Sequence, residues 1–357
     1  MNPIKFGIVG GGWRAAFYLR IARTVPERFA VTGIVVRDAA KGRQIEEQWG
    51  VPTHRTLDAL LRAEPPSFVV VSVPWAVTPT VVVELAERTI PTLAETPPAP
   101  DVEGLRGLYE RVGPGARLQV AEQYPYQPLH AARLALVASG VLGMVTQAQV
   151  SVAHGYHGMS LIRRFLGLAF EDATITAHRF VSPLMEGPGR GGPPAQERLT
   201  SSTQVIAHLD FGDRLGVYDF TGDQYFSWIR SPRLLVRGER GEIDGSRVRY
   251  LVDYQTPVAL DLRREDAGTD GNLEGYYHKG ILAGATWLYR NPLAPGRLSD
   301  DEIAVGTCLE RMAAYVDGGP DFYSLAEAAQ DHYLSLVLGQ ALASGEAVVT
   351  QPQPWTR

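Results

Sequence analysis

Cysteine occurs once in the 357 residues, as Cys308. No disulfide can close within the chain, and no cysteine-rich metal site can form. Lysine is nearly as scarce. Of the 34 Lys and Arg residues only Lys5, Lys41 and Lys279 are lysine, leaving 31 arginines, so a reaction that depends on an ammonium group has few residues to draw on. There is no run of clustered basic residues and the net charge is −5, which argues against a nucleic-acid or anionic-membrane partner. No stretch of about eighteen apolar residues is present, so no membrane span is expected. The N-terminus runs straight into a strand-like segment without the charged, apolar and cleavage regions of a signal peptide, and a cytoplasmic location is the expectation. His154 and His157 stand three apart without a Glu partner, so no metal site is expected. Neither a G-x-S-x-G turn nor a P-loop is visible.

What the chain has is an ordinary globular composition, 45% apolar and 20% charged, and enough length for about two domains at roughly 150 residues each. Ile4–Val9 reads as a short buried strand. It leads into Gly10-Gly11-Gly12-Trp13-Arg14-Ala15 and a helix-like stretch from Ala16 to Arg23. This G-x-G-x-x-A pattern lets the backbone turn tightly and offers helix N–H groups to a pyrophosphate. In a chain with 37 glycines the pattern alone is weak. Its place after a strand and before a helix is what makes it a dinucleotide turn. Further apolar runs at Phe29–Val36 and Ser67–Val73 alternate with helices predicted over Ala39–Trp49 and Thr80–Arg88, which is the pattern of a parallel sheet wound on both faces. Residues 1–122 are therefore read as a Rossmann domain.

The end of the second strand commonly carries an acidic residue for the adenosine ribose. Here Val36 and Arg37 fall at that place, with Asp38 just beyond. Arg37 can neutralise a 2′-phosphate, and Arg14 is expected to point to the same side, which favours NADP(H) over NAD(H). The other reading has Arg37 in solvent and Asp38 on the ribose.

The segments Gly10–Ala15, Val71-Ser72-Val73-Pro74, Ala94-Glu95-Thr96-Pro97-Pro98, Gln123–Val145 and Ala347–Trp355 together resemble the Gfo/Idh/MocA oxidoreductases, the glucose-fructose oxidoreductase and inositol dehydrogenase family. The resemblance covers essentially the whole chain. It implies a nicotinamide cofactor, a sugar or polyol substrate, and hydride transfer at a carbinol or carbonyl carbon. It places Pro74, Trp75, Glu95, Thr96 and Gln123 around the nicotinamide. The chain departs from the family at two positions. Thr96 replaces the lysine of the Glu-Lys-Pro motif, and a neutral hydroxyl is a poor base and no cation. Ala153 stands where an aspartate often precedes the site histidine by four residues, while His157 fits that histidine.

Three explanations of this departure stay open. A substitute group can carry the proton, with His157 first because it exchanges a proton near neutral pH, and Tyr156, His154 and Tyr124 after it. Lys279, the only lysine of the second half, is also a candidate, against an ordinary surface role. The chain can run redox-neutral chemistry, as NAD-dependent glycosidases of similar fold do. Or it can bind a nucleotide or sugar as a sensor or partner subunit.

Residues 123–357 read as an α+β domain with an open, mostly antiparallel sheet. Strands are predicted over Met144–His154, Asp172–Phe180, Gln204–Phe211, Gly216–Thr221, Arg233–Gly238 and Val248–Leu251. The resemblance implies a homodimer or homotetramer built on that sheet. Ser299-x-x-Glu302 and Ser324-x-x-Glu327 fit capping boxes at two helix starts. Pro183–Glu197 holds four glycines and four prolines around Arg190 and is expected to be a long mobile loop, with a lid over the site and an inert excursion both open. Asp223, Gln224, Tyr225 and Trp228 combine polar and aromatic groups of the kind that bind sugars.

Overall fold

The computed structural model describes residues 2–113 and 115–356. The first half alternates strand and helix: β1 (Ile4–Val9), α1 (Ala15–Thr24), β2 (Phe29–Val35), α2 (Ala39–Trp49), β3 (Thr53–His54), α3 (Leu57–Ala63), β4 (Phe68–Val71), α4 (Thr78–Glu87), β5 (Thr92–Ala94), α5 (Val102–Val112) and β6 (Leu118–Val120). All six strands pair in parallel in the order β3-β2-β1-β4-β5-β6, the doubly wound order of dinucleotide-binding folds. Helices cover both faces, so central strands are buried on both sides and read as continuous apolar runs. Phe6, Ile8 and Phe68–Val71 have no exposed surface.

The second half contains α6 (Pro128–Ala138), β7 (Val145–Ser151), α7 (Gly155–Leu166), β8 (Thr174–Met185), β9 (Leu199–Asp210), β10 (Leu215–Thr221), β11 (Arg233–Gly238), β12 (Gly241–Asp244), β13 (Arg247–Leu251), β14 (Pro257–Asp266), β15 (His278–Ala283), β16 (Thr286–Arg290), α8 (Asp300–Val316), α9 (Leu325–Ser344) and β17 (Val348–Val349). Its sheet runs β16-β15-β14-β13-β12-β11-β7-β10-β9-β8-β17, antiparallel throughout except for the β7–β10 pair. One face packs on α7 and α9, where Val150, Ile175, Leu209 and Val236 meet Ile162, Phe165, Leu334 and Val337. Among the described residues no helix is long and apolar enough to cross a membrane.

The two halves share material. Ile303, Cys308 and Met312 of α8, with Phe322 and Tyr323, complete the core of the first sheet. Gln119 of β6 accepts hydrogen bonds from the Phe322 and Tyr323 N–H groups at 3.0 and 2.9 Å. Both predicted capping boxes form: Ser299 with Glu302 starts α8, and Ser324 with Glu327 starts α9. The N-terminus of α8 is thereby delivered to the glycine turn.

The Pro183–Glu197 expectation needs correcting. Strand β8 continues through Pro183, which pairs with Ser201 of β9. Beyond its first residues β8 has only β9 as a neighbour, because β17 reaches Ile175 and Thr174 alone. A proline that lacks an N–H is tolerated on such an edge. The connection is then a tapering hairpin, closed by Glu186 N–H to the Arg198 carbonyl at 2.8 Å and by reciprocal 3.0 Å bonds between Gly189 and Gly192.

Candidate active site where the two halves meet

The glycine turn is built for close approach. Gly10 has φ +111°, and a Cβ there would collide with the Ser72 carbonyl oxygen of the neighbouring strand end. A Cβ on Gly12 would meet nothing within 4 Å, so the backbone at the start of α1 faces open space. The N–H groups of Ala15, Ala16 and Phe17 are already taken by the carbonyls of Gly12, Trp13 and Arg14, whereas those of Gly11 to Arg14 have no partner among the described residues; that room and those donors fit a diphosphate. Gln123 is buried, and its side-chain oxygen has no hydrogen-bond partner; such an acceptor suits a ligand amide donor.

Arg14 does not point toward Arg37 as expected. Its Nε donates to Glu95 Oε1 at 2.8 Å and its Nη1 to Asp301 Oδ2 at 3.2 Å. The Tyr18 hydroxyl donates to the same Glu95 oxygen at 2.5 Å. Burial opposes the Arg14 charge, but Glu95, Tyr18 and Asp301 outweigh it and raise the pKa further above its ordinary value. Breaking a buried pair strands a charge at a cost of about 3–5 kcal/mol, which exceeds what a solvent-side phosphate contact would return. Arg37 is exposed beyond β2. Asp38 caps α2, one oxygen accepting from the Ala40 and Lys41 N–H groups at 2.7 and 3.0 Å.

Across the junction, His157 lies in the first turn of α7, just beyond the predicted strand Met144–His154. Gly155 starts that helix at φ +43°, where an added Cβ would press on Ser335. His157 Nδ1 is 2.6 Å from Glu122 Oε2, and both side chains are buried. Glu122, just past β6, also accepts from the Tyr124 N–H at 3.1 Å. Burial pushes the Glu122 carboxyl up from 4.5 to about 8. Burial, with the Arg14 charge adding to it, pushes the His157 imidazolium down from 6.5 to about 3. Near neutral pH the pair is therefore uncharged: a carboxylic acid beside a neutral imidazole.

Aromatic groups surround the pair. Tyr156, Tyr124 and His154 have ring centroids 4.4, 4.5 and 5.0 Å from that of His157. The Tyr156 hydroxyl donates to the Thr96 carbonyl at 3.4 Å, and its ring meets Trp75 edge-on at 6.4 Å. His154 N–H donates to the Tyr225 oxygen at 2.9 Å, and Nδ1 of His154 is 2.6 Å from the same oxygen. Burial, then the neighbouring His157, lowers the pKa of His154 to about 4.

Thus Glu95, Thr96, Trp75, Tyr124, His154, Tyr156, His157 and Tyr225 come together. Four candidates do not join them. Lys279 Nζ, on β15 next to the end strand of the second sheet, is paired with Glu274 at 2.5 Å. Asp223 accepts from Ser202 at 2.5 Å and Thr221 at 2.8 Å, holding its own turn. Gln224 is likewise buried against Ser151 and the Ser231 carbonyl, and Trp228 is exposed. Glu122, Tyr18 and Asp301 were not anticipated. Glu122 alone carried a local signal: a carboxylate just past a short apolar strand, on the edge where open α/β sheets bind ligands.

Residues 4–119 match the family described as "Oxidoreductase family, NAD-binding Rossmann fold", GFO_IDH_MocA. Comparison with curated proteins gave no match. Solved structures similar in fold include an oxidoreductase from Agrobacterium radiobacter in complex with NAD+, L-tartaric acid and magnesium; it is 16% identical over 97% of this chain and 98% of that one, with TM-score 0.67. Levoglucosan dehydrogenase in complex with NADH and levoglucosan is 14% identical over 98% of this chain and 100% of that one, with TM-score 0.68. A myo-inositol dehydrogenase from Corynebacterium glutamicum is 16% identical over 98% and 99%, with TM-score 0.65. At these identities the likeness is one of fold.

Proposed function

Since residues 4–119 match the family model of the NAD-binding Rossmann fold of the Gfo/Idh/MocA oxidoreductases, we propose that the chain transfers a hydride to or from a sugar, cyclitol or related polyol, as the names of its structural neighbours suggest. The observation that carries this reading is the uncharged His157–Glu122 pair, buried beside Glu95-Thr96 and walled by tyrosines. A bound nicotinamide supplies or accepts the hydride. Gly10, Gly12 and Trp13 take its diphosphate at the start of α1. Pro74, Trp75, Glu95, Thr96 and Gln123 line the nicotinamide end, with the free Gln123 oxygen as an acceptor.

His157 moves the proton. With Nδ1 facing the Glu122 carboxylic acid, Nε2 carries the ring proton and is the nitrogen left for the substrate. In reduction Nε2 gives its proton to the substrate oxygen as Nδ1 takes the proton of Glu122, leaving a carboxylate. Oxidation runs the same steps backward. Neither form places an isolated charge on both groups at once, which is why a buried pair can stand in for a lysine. His154, Tyr156 and Tyr225 orient substrate hydroxyls. Exposed Arg37, beside an Asp38 oxygen already used as a helix cap, favours NADP(H).

The test is a titration with NADPH and NADH, followed by a polyol panel read at the nicotinamide absorbance. Turnover of at least one polyol is expected, with His157→Ala keeping cofactor affinity and losing turnover. Polyol binding without consumption of cofactor would make the chain a sensor. Sugar release without an absorbance change would make it a glycosidase.

A further inference from the structure

The tip of the β8–β9 hairpin reaches the glycine turn. Its two residues Arg190-Gly191 are closed by the Gly189–Gly192 bonds, and the stem is fastened by the Glu186–Arg198 ion pair at 2.5 Å. The hairpin leans on the backbone of Ser227, 3.2 Å from where a Gly187 Cβ would stand. Arg190 is thereby held with its guanidinium carbon 4.3 Å from the centroid of Trp13 and 5.7 Å from that of Phe226. Trp13 is the residue after the open Gly12, and 61% of its surface is exposed.

Two other arginines lie on this aromatic cluster, and the contrast is informative. Trp13 meets Phe17 edge-on at 5.6 Å, and Phe17 carries Arg14 and Arg20 at 4.9 and 4.4 Å. Arg14 is neutralised by Glu95 and Asp301, and Arg20 by Glu302. Arg190 has no ion-pair partner among the described residues. A cation–π contact at an exposed site is worth only about 0.5–1 kcal/mol, so it places the guanidinium without consuming its charge or its five donors. The hairpin therefore presents a free, forked cation to the one turn of the chain shaped for a diphosphate.

We propose that Arg190 is the second half's ligand for the diphosphate of the bound dinucleotide, held over the glycine turn by Trp13. The inference rests on the cofactor reading above. The diphosphate is favoured over the adenosine 2′-phosphate because Trp13 belongs to the glycine turn itself, whereas Arg37 marks the ribose end at β2. Charge-assisted, bidentate contacts of this kind change affinity by about tenfold or more.

Nicotinamide fluorescence titrations of the full chain and of Arg190→Ala and Arg190→Lys, with NADH and NADPH over a salt series, test this. The Ala variant should bind both cofactors about tenfold more weakly and with a shallower salt dependence, with Lys intermediate. Wild-type binding with an unaltered Ala variant overturns the Arg190 assignment and leaves the cofactor reading intact. A loss confined to NADPH also overturns it, since the contact would then be with the 2′-phosphate. Failure of the wild type to bind either dinucleotide overturns the cofactor reading, and the assignment with it.

Discussion

Glu122 and His157 depart from their ordinary pKa values in opposite directions for one reason: each would bear its charge where water cannot reach it. The consequences for stability have opposite signs. Glu122 holds its proton more tightly folded than unfolded, so its contribution is full below 4.5 and is lost as pH rises through about 8. His157 resists protonation in the fold, so its contribution is full above 6.5 and is lost as pH falls through about 3. The Glu122→Gln amide can still donate to Nδ1 but cannot ionise. The melting temperature of the wild type should fall between about pH 5 and 9, and that of the Gln variant should fall less; parallel curves in a thermal-shift series would show that Glu122 does not titrate there. Turnover should fail in the same variant, because the proton that follows into Nδ1 is missing. Arg37 offers a second test at this scale. If its exposed guanidinium meets a 2′-phosphate as proposed, Arg37→Asp should shift the ratio of NADPH to NADH affinities toward NADH. An unchanged ratio would leave Arg37 a solvent residue.

At the scale of elements, legibility followed burial. Strand β4 is covered on both faces and so appears as an uninterrupted apolar run, β1 and β2 as apolar runs broken by Lys5 and by Thr32, and Ser299 and Ser324 announce α8 and α9 through residues three positions apart. Strand β14 was missed because it has an exposed face and carries Asp261, Arg263, Arg264 and Glu265 among its few apolar positions; charge there reads as loop. The hairpin β8–β9 was cut short at Pro183 because a proline excludes a central strand, and nothing local says that this part of β8 is an edge. The site divides in the same way. Thr96 and His157 stand at motif positions that a sequence can show, but Arg14 meets Asp301 across 287 residues of sequence, a separation that no spacing rule reaches. The turn residue thought to face the ribose was captured by carboxylates that only the tertiary fold brings near it.

At the scale of the whole molecule, the second sheet uses one face for α7 and α9 and leaves the other uncovered. The alternation fixes which residues these are. Ile175 and Ala177 of β8 and Ala207 of β9 are buried toward the helices, so His178, Phe180 and Ile206 project the opposite way. Phe180 is 61% and Ile206 39% exposed. Apolar side chains on the uncovered face of so wide a sheet suit a contact with a second copy of the chain. The site does not depend on that face: Glu122, Thr96 and His157 lie at the junction of the halves, and the cofactor turn belongs to the first sheet. The wild type is therefore expected to sediment at a multiple of 39.0 kDa. Ile206→Asp, which places a charge on the open face without touching the helix-packed one, should bring the mass toward 39.0 kDa while leaving dinucleotide affinity unchanged. A wild-type mass of 39.0 kDa, or an Asp variant that keeps the larger mass, would show that the face is not where copies meet.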